Sequence, residues 1–275
     1  MLEKYMPIYI KSKKEINIMR EGGRILATVL ERLKKEVRPG MTTEKLERLA
    51  CDLITQAGGR PAFKGYQPSL SAAAFPTALC LSVNSEVVHA PALPSRELKE
   101  GDIVGIDIGM EYPIMANGQP VRGMYTDMAA TMPVGRVSRQ VEKLISVTEQ
   151  ALELAIAVAQ PGKKLSDIGR AIQDYVEDNG FSVVRDLVGH GVGRKVHEDP
   201  QVPNFYIRSK NFKDLVLRSG LTIAIEPMVN IGKSDIMTGH DGFSIVTVDG
   251  SLSAHFEHTI AILEDGNEVL TALST

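Results

Sequence analysis

Pro39–Gly58 reads PGMTTEKLERLACDLITQAG, Pro161–Gly180 reads PGKKLSDIGRAIQDYVEDNG, and these two stretches decide how the chain is organised. They align without a gap at an offset of 122 residues, the distance from Pro39 to Pro161. The identical pairs are Pro39 with Pro161, Gly40 with Gly162, Arg48 with Arg170, Asp52 with Asp174 and Gly58 with Gly180. Inward apolar positions also match, as in Leu46 with Ile168. The pattern indicates an internal duplication, in which two helices are followed by strands, twice over.

Apolar residues at helical spacing predict the four helices of this duplication. The expected spans are Lys14 to Val37, Thr42 or Thr43 to Gly58, Ser138 to Ala159, and a last helix capped by Ser166 and ending at Asn179-Gly180. Pro-Gly pairs separate the members of each helix pair, since neither residue continues a helix. Lys11, Lys13 and Lys14 are expected to form a solvated start of the first helix.

Short β-branched runs predict strands after each helix pair. They are Ile103–Ile108, Thr222–Ile225 and Thr259–Ile262. A turn at Asn117-Gly118-Gln119-Pro120 would place Asp107 and Asp127 on the two arms of a hairpin. We therefore expect one α+β domain over residues 1–275, with halves of roughly 14–135 and 136–271 that share a central sheet and a site in the crease between them.

Composition narrows the range of functions. The chain has 275 residues, a net charge of -3 and a pI near 6.1, which argues against broad nucleic-acid binding. Its two cysteines, Cys51 and Cys80, form no CxxC pair and suit a reducing compartment. The sequence contains no run of 18 apolar residues and no signal-like segment at its start, so we expect a cytoplasmic protein with no membrane partner.

Five ionisable residues lie inside apolar or glycine-rich runs: Asp107, Asp127, His190, Glu226 and Glu257. Taken singly, each aspartate reads as an ordinary strand-end residue, and Glu226 as a core glutamate in an ion pair. Four carboxylates gathered in one cleft would repel one another unless cations neutralised them. One imidazole among oxygen ligands suits Mn, Fe, Co, Ni or Zn better than Ca or Mg. As a set, these residues predict a site for two divalent ions.

Six segments together resemble the type I methionine aminopeptidases over residues 13 to 271. They are HAPALP (89–94), GDIVGIDIG (101–109), YTDMAATMPVG (125–135), GHGVGRKVHEDPQVPN (189–204), LTIAIEPMVN (221–230) and LSAHFEHT (252–259). The resemblance implies the pita-bread fold, in which helices pack outside a central antiparallel sheet of two pseudo-symmetric halves. It also implies a dinuclear metal centre and removal of the N-terminal methionine from nascent polypeptides, with a small residue preferred in second place.

The resemblance assigns a role to each site residue. Asp107, Asp127, His190, Glu226 and Glu257 would be the metal ligands, with Asp127 and Glu257 bridging. His89 and His197 would contact the substrate, and Glu226 would relay a proton. The methionine pocket would be lined by Phe63, Tyr66, Phe75, Val196 and Phe243. The sequence departs from the family pattern in two insertions near the site entrance, at Gln67–Ala74 and Met115–Gly123.

Three other readings remain open at this level. An X-Pro aminopeptidase of the same fold usually carries a separate N-terminal domain, and a non-catalytic relative would have lost metal ligands. A type II enzyme needs an insertion between His197 and Glu226, where the chain has only 28 residues. Transient contact with the ribosome is implied by the substrate. Because Leu2 is large, we also expect this protein to retain its own Met1.

Overall fold

The structure is a computed structural model that describes residues 8–67, 69, 71–207, 209 and 212–273. The prediction that Met1 is retained concerns residues outside these ranges. Within them the chain forms two helices, a group of strands, two more helices and a second group of strands. This order agrees with the predicted duplication. The limits of the two halves stay a prediction.

The four helices lie within a residue or two of their predicted spans. They are α1 Lys13–Glu36, α2 Thr43–Gln56, α3 Arg139–Val158 and α4 Leu165–Asp178. Ser138 caps α3 as predicted, since its side chain accepts from the backbone N–H of Val141. The prediction that Ser166 caps α4 is wrong. Lys164 is the N-cap, because the Asp167 carboxylate accepts its backbone N–H at 2.9 Å, and the Ser166 hydroxyl instead donates to Asp214.

The strands of the described residues are, in chain order, β1 Arg60–Pro61, β2 Leu79–Val83, β3 Glu86–Val88, β4 Ile103–Tyr112, β5 Met115–Ala116, β6 Gln119–Pro120, β7 Met124–Pro133, β8 Ser182–Val183, β9 Gly189–Gly191, β10 Glu198–Val202, β11 Thr222–Ile225, β12 Met228–Asn230, β13 Ile236–Thr238, β14 Ile245–Thr247, β15 Ser253–His255, β16 Glu257–Ile262 and β17 Asn267–Val269. All three predicted strands are present. β4 and β16 extend further than their predicted runs.

Nine of these strands form one antiparallel sheet. Its order is β1-β4-β7-β16-β11-β9-β10, with β2 beside β4 and β17 beside β16. The pairing of β7 with β16 joins strands from distant parts of the chain, and it brings Glu257 opposite Ala129. Smaller sheets, β15-β12-β8 and β13-β14-β3, flank the main one.

The helices cover one face of the sheet. Ile106 and Ile108 of β4 are fully buried in the apolar core that also contains Leu26 of α1 and Leu144 of α3. Because side chains alternate along a strand, Asp107 points to the opposite face. The apolar core and the polar residues of β4 therefore lie on different sides of the same strand.

The predicted turn between β4 and β7 is confirmed. Asn117 and Gly118 both have positive φ, 51° and 73°. Two positive φ angles in succession define the type I′ turn that Asn-Gly favours. β5 and β6 form a small hairpin around it, and Met115 there is half exposed. Asp107 and Asp127 lie on the two long arms, as expected.

Candidate active site

Register places three carboxylates on one face of the sheet. Asp107 of β4 and Glu257 of β16 both pair with Ala129 of β7, which lies between them. Asp127 is two residues before Ala129 on the same strand, so its side chain points to the same face. The methyl side chain of Ala129 leaves room for the carboxylates on either side of it.

The second part of the chain adds His190 and Glu226. His190 lies in β9, and Glu226 directly follows β11 at the point where the chain leaves the main sheet. The Nε2 atom of His190 is 3.5 Å from Asp127 Oδ2 and 3.5 Å from Glu226 Oε1. Ligand atoms of Asp127, His190 and Glu257 all lie within 4.8 Å of one another. The five predicted metal ligands are thus gathered in one place.

Burial of these carboxyl groups changes their acidity. It raises the pKa of Asp107 to about 8, with the nearby Asp127 adding to the effect. It raises the pKa of Asp127 to about 6, and the pKa values of Glu226 and Glu257 well above their ordinary range. Desolvation and mutual repulsion disfavour the charged forms. A site built this way needs cations to hold all four groups ionised.

The residues fit divalent metal ions. Asp107 Oδ1 is buried and accepts no hydrogen bond from the described residues. The Nδ1 atom of His190 lies 2.9 Å from the Gly191 carbonyl oxygen. A carbonyl only accepts, so Nδ1 carries the hydrogen and the lone pair of Nε2 faces the carboxylates. Burial also lowers the pKa of His190 to about 4, which keeps the ring neutral as a ligand must be.

A cavity of about 640 Å³ opens onto this cluster. His89 and His197 are both on its wall, together with the five predicted ligands. The Nδ1 atom of His197 is 2.8 Å from the Tyr66 hydroxyl, and its ring is edge-on to that of His190 at 4.5 Å between centroids. Burial lowers the pKa of His197 to about 3. It also lowers the pKa of His89 below its ordinary value. Both rings are neutral near pH 7.

Aromatic residues form the apolar part of the wall. Phe63, Tyr66, Phe75 and Phe243 all line the cavity, and the Phe75 and Phe243 rings meet edge-on at 5.7 Å. Val196 is not on the wall; it belongs to the apolar cluster of Phe63 and Cys80. Four of the five predicted pocket residues are therefore on the cavity surface. Ala72 and Ala73, from the insertion after Tyr66, also line it.

Sequence reasoning missed His255. Its Nε2 atom is buried, has no hydrogen-bond partner among the described residues, and lies 3.7 Å from Glu226 Oε2. Burial lowers the pKa of His255 to about 3. The available signal was its position two residues before Glu257, because alternation along an extended segment puts both side chains on one face.

Comparison with known proteins identifies the class. The profile described as Metallopeptidase family M24 matches residues 17–264, and the chain belongs to this family. It is 48% identical to a methionine aminopeptidase of Clostridium perfringens, over 97% of this chain and 99% of that protein. It is 46% identical to methionine aminopeptidase 1 of Bacillus subtilis, over 96% of this chain and 99% of that protein.

Solved structures agree on the fold. A methionine aminopeptidase from Thermotoga maritima superposes with a TM-score of 0.86 at 43% identity, covering 96% of this chain and 99% of the other. A prolidase from Pyrococcus horikoshii shares the fold with a TM-score of 0.72 at 21% identity, and this chain covers 64% of it. The resemblance and the pita-bread fold inferred from the motifs are confirmed. No helix in the described part of the chain is long and apolar enough to cross a membrane.

Proposed function

We propose that this chain hydrolyses the peptide bond after an N-terminal methionine, with two divalent metal ions and a preference for a small second residue. The observation that carries the proposal is the cluster of four carboxyl groups and His190 at a cavity whose other wall is aromatic. Family M24 is a metallopeptidase family, and relatives similar over almost their whole length are methionine aminopeptidases. X-Pro cleavage and a purely binding role are not favoured by these relatives.

The proposed metal ligands are Asp107, Asp127, His190, Glu226 and Glu257. Mn, Fe, Co, Ni and Zn all accept such a set. Bound there, the ions would make a water molecule nucleophilic near neutral pH and polarise the scissile carbonyl. The chain contributes a fixed geometry: Thr259 Oγ1 donates to Asp127 Oδ1 at 3.0 Å, and His190 is held through the Gly191 carbonyl.

His197 is the proposed donor to the carbonyl oxygen of the scissile bond. A neutral imidazole has one N–H. When the Tyr66 hydroxyl donates to Nδ1, the hydrogen of His197 is on Nε2. Nε2 is then a hydrogen-bond donor for the negative charge that develops on the substrate oxygen. Burial keeps the ring neutral at pH 7, so that one ring nitrogen keeps its hydrogen and the other keeps its lone pair.

His89 and Glu226 complete the proposed machinery. His89 is on the cavity wall with a positive φ of 59°, and we assign it to a hydrogen bond with the scissile peptide group. Glu226 has its carboxyl group beside both His190 and His255. We assign it to the transfer of a proton from the attacking water to the leaving amine.

The aromatic wall would hold the methionine side chain. Phe63, Tyr66, Phe75 and Phe243 line the cavity, and a thioether gains favourable contacts with aromatic rings. Val196 would support this wall from the apolar cluster it shares with Phe63. In the cell the substrates would be nascent polypeptides in the cytoplasm, met during transient contact with the ribosome.

The proposal is tested with three peptides, Met-Gly-Met-Met, Leu-Gly-Met-Met and Gly-Pro-Gly. Each is incubated with the protein as purified, after chelation, and after addition of Mn, Fe, Co, Ni or Zn. We expect release of methionine alone, loss of that release after chelation, and recovery with metal. Cleavage of Gly-Pro-Gly in preference to Met-Gly-Met-Met, or no release with any metal, would contradict the proposal.

A further inference from the structure

Lys11 is buried, although it precedes a helix whose other early lysines are exposed. Its side chain is 1% exposed, whereas Lys13 and Lys14 are exposed as predicted. The expectation that Lys11 is part of a solvated helix start is therefore wrong. Its backbone N–H donates to the Gly220 carbonyl at 2.7 Å, which draws the segment before α1 against a distant part of the chain.

The partner of Lys11 is Glu198. Lys11 Nζ lies 2.6 Å from Glu198 Oε2, and the Glu198 side chain is fully buried. The other carboxylate oxygen, Oε1, accepts the backbone N–H groups of Arg194 at 2.6 Å and Lys195 at 2.8 Å. One carboxylate thus closes the turn formed by residues 193–198 and links it to Lys11.

Gly193 lets the lysine pack against this turn. A Cβ atom at position 193 would lie 2.5 Å from Lys11 Cε, and the residue has a φ of 144°. The Gly193 carbonyl also accepts the backbone N–H of Tyr125 at 2.7 Å. Tyr125 is in β7, two residues before Asp127. The turn is therefore held from two sides, by the buried lysine and by the strand that carries a proposed metal ligand.

The turn carries two residues of the proposed machinery. His197 directly precedes Glu198, and Val196 packs in the cluster of Phe63 and Cys80. We propose that Lys11 is a positioning residue, which, through Glu198, sets the place of His197 beside the cluster of proposed metal ligands. This inference rests on the proposed function, since it takes His197 as the donor to the substrate. Lys11 itself touches no substrate.

The buried Lys11–Glu198 pair is better suited to fixing a position than to adding stability. Lys11 and Glu198 are separated by 187 positions in sequence, and both are removed from water. Burying a charged pair is costly, and a buried pair is weak support for stability in itself. The same turn could be closed by Glu198 alone through its two backbone contacts. What Lys11 adds is a fixed position of the Glu198 carboxylate, and with it of the adjacent His197.

The test compares Lys11→Met, the double variant Lys11→Met with Glu198→Gln, and Lys13→Met as a matched control on an exposed lysine. Lys11→Met leaves a buried carboxylate without its cation, so we expect a lower thermal midpoint. The double variant removes both charges, keeps an acceptor oxygen for the turn, and should regain much of that midpoint. Its kcat on Met-Gly-Met-Met should still be lower by about 10- to 100-fold, because small displacements of a catalytic group are costly.

Other readouts separate positioning from a general loss of structure. In the double variant, KM should change by less than about 2-fold and bound metal should be unchanged, with kcat alone reduced. Lys13→Met should match the original protein in all of these. A double variant with the original kcat, or with only KM altered, would overturn the inference. So would a double variant that does not fold, since the pair would then serve the fold.

Failure of the proposed function gives a different result. A protein that releases no methionine with any metal contradicts that function and leaves the placement of His197 testable by NMR. The imidazole signals of His197, assigned with His197→Asn, should shift in the double variant and stay in place in Lys13→Met. Unchanged signals in the double variant would overturn the inference, whatever the activity.

Discussion

The hydroxyl of Tyr66 is the hydrogen-bond partner of the His197 ring. Tyr66 lies on the cavity wall, and its oxygen is 2.8 Å from His197 Nδ1. Its ring meets the imidazole edge-on at 4.9 Å. Tyr66 therefore offers two separable groups, a ring in the aromatic wall and a hydroxyl within hydrogen-bonding distance of His197 Nδ1. We propose that the hydroxyl donates this hydrogen bond, which would leave the hydrogen of His197 on Nε2.

At this scale we expect Tyr66→Phe to lower kcat on Met-Gly-Met-Met by about 10-fold, with KM changed by less than about 2-fold, since the ring is kept and only the hydroxyl is lost. His197→Ala should lower kcat by about 100-fold or more while bound metal is unchanged. The measurements are steady-state kinetics and metal analysis.

The double variant Tyr66→Phe with His197→Ala should be no slower than His197→Ala alone, because both changes remove one hydrogen-bonded unit. Tyr125→Phe is the control. The Tyr125 hydroxyl donates to Glu111 at 2.9 Å and not to His197, so its removal should leave kcat unaltered. Additive losses in the double variant would show that Tyr66 does not act through His197.

The β4–β7 hairpin links the cluster of proposed metal ligands to the aromatic wall of the cavity. Asp127 of β7 pairs with Gly109 of β4, and a Cβ atom at Gly109 would lie 2.8 Å from Phe63 Cε1 and 3.0 Å from Ala62 Cβ. Gly105 lies on the same face of β4. A Cβ atom there would make only ordinary van der Waals contacts, the nearest with Thr131 Oγ1 at 3.5 Å. Gly109 therefore makes room for Phe63 of the aromatic wall, whereas Gly105 does not.

Gly109→Ala should therefore displace the Phe63 ring and raise KM for Met-Gly-Met-Met by about 10-fold, because roughly 1–2 kcal/mol of apolar contact with the substrate would be lost. Gly105→Ala, the same chemical change on the same strand, should alter KM by less than about 2-fold. Equal effects of the two substitutions would indicate that the strand, and not the Phe63 wall, responds to the added methyl group.

Over the whole molecule, the segment around α1 is joined to the distant turn at 193–198 by two charged contacts. One is the Lys11–Glu198 pair, and the other is Glu15 with Arg194, whose Nε is 2.8 Å from Glu15 Oε1. The Arg194 hydrogen bond is the largest cause that lowers the pKa of Glu15 from 4.5 to about 2. A carboxyl group that is more acidic when folded stabilises the fold only while it is ionised.

The Glu15 contribution is complete above the unfolded pKa of 4.5 and is lost as the pH falls toward 2. The free energy of unfolding of the metal-free protein should exceed that of Glu15→Gln by up to about 1 kcal/mol above pH 5, since the pair is partly exposed. That difference should shrink between pH 5 and pH 3 in urea titrations.

Glu149→Gln, which changes an exposed carboxylate on α3, is the control for the loss of one negative charge. A difference between the original protein and Glu15→Gln that stayed constant from pH 7 to pH 3 would count against the Arg194 contact as its source.

The sequence by itself was enough for the four helices, for three of the strands and for a set of proposed metal ligands that the fold brings to one cavity. Helix spans followed from apolar spacing and from the Pro-Gly breaks, and Asn117-Gly118 predicted its turn, because these signals act through neighbouring residues. The placement of Ser166 as a cap failed because Asp167 competes for the same end of the helix. The proposed ligands could be selected because ionisable groups within apolar, strand-like runs are conspicuous in the sequence and match the family motifs; their role as ligands stays a prediction.

Tertiary structure alone decided which distant groups meet. Nothing near Lys11 in the sequence distinguishes it from Lys13, and its partner Glu198 lies on another element. His255, the hydroxyl of Tyr66 beside His197, and the room left by Gly109 for Phe63 also depend on packing between separate segments. Local chemistry fixes what each residue can do, whereas long-range burial determines its partner, its protonation and its position.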